Sequence, residues 1–309
     1  MLKRFVQITN EVLMLYHTKH HWVKLRNTGK RKTLIILGNG PSVGRLDPNK
    51  LSQLYPPSKA DIAFVNGFLY APPFSMEAYN CLYFVSDPLI YRLLKWLTDG
   101  GSKKELKDSQ LIQSLFTDAI PQARHSLQFD AKSLVKALEM MNIKWFCPSH
   151  FATALRKLGV SDCYAISRIV IPGVWPSIIN KLMIKIGLFG PNLLNPLGPA
   201  VLNYAILTGI SLEYNDIIII GHNDELRYSN YFIKDGSLHF KYKYFWESKA
   251  KEYIRDDSWS EFIEAQYKLI SIERCLRHNV KIPIRYITPS HLHLFLTDPD
   301  VPDLLRPIE

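Results

Sequence analysis

Seven short apolar runs recur along the chain, each closed by residues that turn or break the backbone. They occupy 34–37, 62–65, 82–85, 145–146, 164–171, 217–220 and 284–287. Most lack the polar alternation of a strand with one wet face; four successive isoleucines, Ile217 to Ile220, are the clearest case. Such runs mark strands covered on both sides, as in a parallel sheet. Between them the pattern changes to helical spacing at 88–97, 131–141, 199–212 and about 258–278. In the last of these, Trp259, Phe262, Ile263, Tyr267 and Ile270 follow the 3.6-residue period. Strands alternating with helices predict an α/β, Rossmann-like, doubly wound and mostly parallel sheet. No repeat or low-complexity linker interrupts it. An irregular, proline-rich excursion is expected around 168–200 and a lid around 222–250.

The first 32 residues stand apart. They hold eight Lys or Arg and one acid, so +7 of the chain's net +10 lies there, and 33–309 form a nearly balanced body read as one domain. Within this arm Phe5, Ile8, Val12 and Leu15 recur at helical spacing, followed by Trp22. Two readings are open: an amphipathic helix on an anionic membrane surface, or a helix packed on its own body with a solvated basic end. The body lacks a second basic patch, which argues against nucleic acid. No small-residue cleavage site follows the short apolar run, as a secretory signal needs. A second apolar stretch, 186–212, has no charge but is interrupted by Gly187, Gly190, Pro191, Pro196, Gly198 and Pro199. It reads as a loop entering a buried helix, because broken backbone cannot be satisfied in lipid.

The 309 residues are 47% apolar and 21% charged, an ordinary globular composition. Cys81, Cys147, Cys163 and Cys275 show no Cys-x-x-Cys spacing, which argues against a structural zinc or a disulfide framework and for a reducing compartment.

The chemistry gathers where the runs end. The first breaks into Gly38-Asn39-Gly40-Pro41-Ser42. Glycines there permit close approach of a ligand to the main chain, and amides opening a following helix favour an anion. The turn completes neither the dinucleotide fingerprint nor a P-loop, and a plain tight turn is the alternative. The second run ends in Asn66-Gly67 and the third in Ser86-Asp87-Pro88. Adjacent parallel strands present such residues to one crevice, so Asn66 and Asp87 are candidate contacts for a base, ribose or sugar. Asn66 equally suits a turn, and for Asp87 alone capping the helix that Pro88 opens is the commoner explanation. After the isoleucines come Gly221-His222-Asn223-Asp224, then Tyr228, Tyr231 and His239. An imidazole near a nucleotide serves as general base at neutral pH, and tyrosine hydroxyls donate to a departing phosphate. A surface hairpin is the plain alternative. The last run ends in a polar turn containing Ser290.

In order and spacing these motifs resemble the bacterial sialyltransferases of glycosyltransferase family 42 and the wider Gly-x-Gly-Pro-Ser group. The opening turn carries most of the likeness; Val65-Asn66-Gly67-Phe68, Val85-Ser86-Asp87-Pro88, the stretch 205–221 and the closing strand with its Pro-Ser turn add to it. Asp87 stands where the family has asparagine. The resemblance implies transfer of sialic acid or a related nonulosonate from a CMP-sugar donor to a surface-glycan or lipid-linked acceptor, without metal or further cofactor. Gly38, Asn39, Gly40, Pro41 and Ser42 would hold the CMP portion, with Asn66 near the ribose or sugar. Asp87, Gly221, Asn223 and Ser290 would line the same pocket. Tyr228 and Tyr231 would receive the leaving phosphate, and His239 would deprotonate the acceptor. The basic arm would place the enzyme in the cytoplasm, peripheral on the inner membrane face, with the oligomeric state open. A nucleotide-dependent pyrophosphokinase-like transferase and a non-catalytic membrane-associated protein of the same fold are the other readings.

Overall fold

A computed structural model describes residues 22, 24–25, 28–66, 76–107, 131–139, 143–166, 201–221, 230–234, 237–242, 251–255, 282–286 and 304. Its strands are β1 (Thr33–Leu37), β2 (Ala60–Val65), β3 (Cys81–Phe84), β4 (Ile143–Pro148), β5 (Cys163–Ile166), β6 (Asp216–Ile220), β7 (Asn230–Lys234), β8 (Ser237–Tyr242), β9 (Lys251–Arg255) and β10 (Ile284–Tyr286). The helices are α1 (Pro48–Leu54), α2 (Pro88–Thr98), α3 (Ala131–Glu139), α4 (Ser149–Lys157) and α5 (Val201–Ser211), besides single turns at Pro41–Arg45 and Lys103–Leu106.

Each of the seven apolar runs supplies a strand of one sheet, in the order β10-β6-β1-β2-β3-β4-β5, with 167–171 and 287 of the expected runs lying outside the described residues. Every pairing in it is parallel. The chain winds outward from β1 to β5, then returns to lay β6 on the other flank of β1. This is an α/β, Rossmann-like sheet with its switch point between β1 and β6.

Alternate residues of each strand serve opposite faces. Ile35, Leu37, Ile62, Phe64, Tyr83, Trp145, Ile218 and Ile220 join one core with α2, α3 and α4. Their neighbours Leu34, Ile36, Ala63, Val65, Phe84, Phe146, Ile217 and Ile219 join a second core with α5. Two cores explain why the strands read as continuous apolar runs. The second core extends into the basic arm. Trp22 is buried, its ring lies tilted to Phe146 at 5.4 Å and edge-on to Tyr164 at 6.1 Å, and its indole N–H donates to the Ala165 carbonyl at 3.0 Å. Leu25 is buried with it. These arm residues pack on the body; residues 1–21 lie outside the described part.

The amino-terminal edge of the sheet is charged and internally paired. Lys32 Nζ meets the wholly buried Asp61 at 2.8 Å, and Tyr214 donates its hydroxyl to the other Asp61 oxygen at 2.6 Å. Arg285 pairs with Asp216 at the start of β6. The carboxyl edge carries glycine, amide and hydroxyl groups, and one carboxyl, Asp87.

Strands β7, β8 and β9 form a separate antiparallel sheet in which β8 is central. The hairpin expected as the plain reading of that region is present. The expected helix at 258–278, the excursion at 168–200 and the turn after β10 lie outside the described residues. Among the described residues, no helix is long and apolar enough to cross a membrane.

Candidate functional site

The turn after β1 is fastened to the end of β6. Gly38 N–H donates to the Ile220 carbonyl at 2.7 Å, and Gly40 N–H to the Gly221 carbonyl at 2.8 Å. Gly221 holds φ +78°, a region L side chains avoid, and a Cβ on it would collide with Val43 Cγ2 and lie 3.1 Å from the Gly38 oxygen. Sequence reasoning expected these glycines to open main chain to a ligand. Two of their amides instead weld β1 to β6, so the loop forms a rigid floor at the switch point. Pro41 opens a single 3-10 turn, and Ser42 is buried within it.

Asn39 rides on this floor. Its side-chain oxygen is sealed from solvent, with no hydrogen-bond partner among the described residues. An orphaned buried acceptor is costly and rare in native proteins. A ligand donor at this point would satisfy it.

One strand along, Asn66 adopts φ +42°, which asparagine tolerates better than most residues. Its carbonyl accepts from the Tyr83 hydroxyl at 2.6 Å and its side-chain oxygen from Ser86 N–H at 3.1 Å. Asn66 therefore ties the end of β2 to the loop after β3, and its carboxamide oxygen is committed. Asp87 caps α2, accepting from Leu89 N–H at 2.9 Å. Burial raises its carboxyl above the ordinary range, and the Leu89 amide draws it partly back. The capping alternative is what the geometry shows.

His239 lies in the second sheet, buried, opposite Phe232 on β7 and Ile254 on β9. Tyr231 pairs with Phe240 in the same sheet. Tyr228, Asn223 and Ser290, together with His222, lie outside the described residues. The structure thus gathers Gly38, Asn39, Gly40, Pro41, Ser42 and Gly221 at one point, with Asn66 and Asp87 beside it on successive strands.

Sequence reasoning missed what lies further along the same edge. A cavity of about 420 Å³ opens beyond the ends of β3, β4 and β5, with Tyr91 of α2 and His150 of α4 in its wall. The signal was legible in Cys147-Pro148-Ser149-His150, a polar break after a strand-like pair. The thiols of Cys81, Cys147 and Cys163 do not belong to this chemistry. All are buried, and burial pushes Cys81 and Cys163 up to about 12 and Cys147 well above its ordinary value. No group of metal-ligating residues occurs among the described residues. Compared with protein-family models, curated proteins and solved structures, the chain matches none.

Proposed function

We propose that this chain is a glycosyltransferase that moves sialic acid or a related nonulosonate from a CMP-sugar donor to a surface-glycan or lipid-linked acceptor. The observation that carries the reading is the orphaned Asn39 oxygen on a rigid glycine floor, set at the switch point where open α/β sheets bind nucleotides. An amino or hydroxyl group of cytidine would donate to it. Ser42 lies in the same turn, and Asn66 borders the neighbouring strand end.

In the reaction the acceptor hydroxyl gives its proton to an imidazole, and its oxygen bonds to the anomeric carbon. The bond from that carbon to the CMP phosphate breaks, and its electron pair leaves with the phosphate. His239 is our candidate base, and Tyr228 and Tyr231 our candidate donors to the leaving phosphate. The basic arm would hold the enzyme at the inner membrane face, beside acceptors made there.

Titration calorimetry of the intact protein with CMP and CDP tests the reading, and absence of heat with every cytidine nucleotide would overturn it. Asn39→Ala should weaken CMP binding by about tenfold, the worth of one well-placed hydrogen bond. His239→Gln should abolish transfer while sparing CMP affinity; surviving turnover would move the base to His222 or another group.

One observation favours a second reading. The sequence contains an Asp-x-Asp, Asp298-Pro299-Asp300, outside the described residues. Such a pair suits the magnesium of a nucleotide-dependent, pyrophosphokinase-like transferase. Activity that EDTA removes and magnesium restores would select it over the metal-independent transfer proposed above.

A further inference from the structure

The cavity beyond β3, β4 and β5 has a composition of its own. Ser86 closes β3, Tyr91 stands on the first turn of α2, His150 and Phe151 on the first turn of α4, and Tyr204 on the first turn of α5. Three aromatic rings therefore border a space of about 420 Å³. His150 meets Tyr91 edge to face at 4.6 Å and 81°, and Tyr91 lies 5.1 Å from Phe151. These contacts fix the rings before any ligand arrives. Polar groups are few: Ser86, His150 and the tyrosine hydroxyls.

Among the described residues, no Lys or Arg lines the space. Asp87, between Ser86 and Pro88 of the lining, sets a carboxyl beside the space. An anionic ligand would be poorly served. Flat apolar faces with hydroxyl and imidazole edges suit a ring that is apolar on its faces and polar around its rim. A neutral pyranose has that form.

We propose that this cavity is a binding subsite for a neutral sugar ring, with Tyr91, Phe151 and Tyr204 against its faces and Ser86 and His150 at its hydroxyls. Its assignment to the acceptor rests on the glycosyltransferase reading. The donor sugar of that reading bears a carboxylate, for which the described lining offers no Lys or Arg, whereas an uncharged acceptor ring would need none. The cavity begins two strands from the Gly38–Ser42 turn, about 10 Å along the sheet edge at the usual strand spacing. A nucleotide at the turn and an acceptor in the cavity would then share one edge.

The test is saturation-transfer NMR on the intact protein with methyl β-D-galactopyranoside, methyl N-acetyl-β-D-glucosaminide, cytidine and free N-acetylneuraminic acid, each alone. Transfer to at least one neutral glycoside is expected, weakened about tenfold in both Tyr91→Ala and His150→Ala. Both positions are half-buried on first helical turns, so these variants should fold, as thermal melting would verify. No transfer to either glycoside overturns the proposal, as does transfer indifferent to both substitutions. A preference for N-acetylneuraminic acid or cytidine that the same substitutions remove also overturns it. CMP calorimetry on the two variants separates the claims: sugar transfer without any CMP heat would leave the subsite standing and sink the glycosyltransferase reading.

Discussion

At the scale of single residues, two positions show how backbone conformation and burial decide a role. Gly221 combines a positive φ with crowding, whereas Gly159 has φ +86° and open space around it. Gly159→Ala should therefore cost only the conformational penalty, about 1 kcal/mol, and Gly221→Ala clearly more. Urea unfolding of both variants measures the difference, and equal losses would contradict the crowding. Asp87 invites a pH argument. Its carboxyl is raised in the folded state by burial, so folding favours the protonated form. The sign follows: its penalty is absent below the ordinary carboxyl range and grows as pH rises through the raised folded value. Asp87→Asn keeps a capping oxygen and removes the charge. Its melting temperature should equal or exceed that of the parent at pH 7, and the gain should vanish in acid. Asp87→Ala loses the cap and should cost about 1 kcal/mol at either pH.

At the scale of elements, the strands were legible because burial on both faces leaves an uninterrupted apolar signature. Leu34 to Leu37 and Ile217 to Ile220 record this directly. Helix α4 was not read: Ser149–Lys157 is short and buries only Phe151, Ala152, Ala154 and Leu155, too brief a stripe to stand out. The hidden cavity follows from that omission, since α4 supplies His150. Nor does the opening turn announce which amides are used. That depends on β6 arriving beside β1, and no local pattern encodes it. The arm shows the same limit from the other side. Its basic composition invites a membrane reading, yet Trp22 and Leu25 serve the core. Trp22→Ala should lower stability by about 3–5 kcal/mol, the usual cost of truncating a buried aromatic. Trp22→Phe should retain much of the packing and cost less, the remainder reflecting the Ala165 carbonyl left without its donor. Chemical denaturation of the pair distinguishes arm docking from an arm that merely lies near.

At the scale of the whole molecule, the sheet divides its labour between its two edges. Charge is spent at the amino-terminal edge, where Lys32, Asp61 and Tyr214 satisfy one another and Arg285 holds Asp216. The other edge keeps mainly uncharged polar groups and space, with one carboxyl, Asp87, engaged in capping α2. Tyr214→Phe removes a donor to a wholly buried carboxylate and should cost about 1–3 kcal/mol. Its CMP affinity, measured below the unfolding transition, should match the parent, while Asn39→Ala should do the reverse. A Tyr214→Phe protein that is fully folded but weakened toward CMP would refute this division. The weld between β1 and β6 has a temporal meaning as well. Gly38 and Gly221 are far apart in the sequence, so the floor beneath Asn39 belongs to the slow, long-range class of contacts. During synthesis the amino-terminal strands emerge early and can pair with one another, yet the Gly38 and Gly40 amides have no partner until β6 and Gly221 leave the ribosome. A nascent chain ending before β6 would carry every letter of the Gly38–Ser42 motif and lack the floor on which our proposal seats the CMP portion.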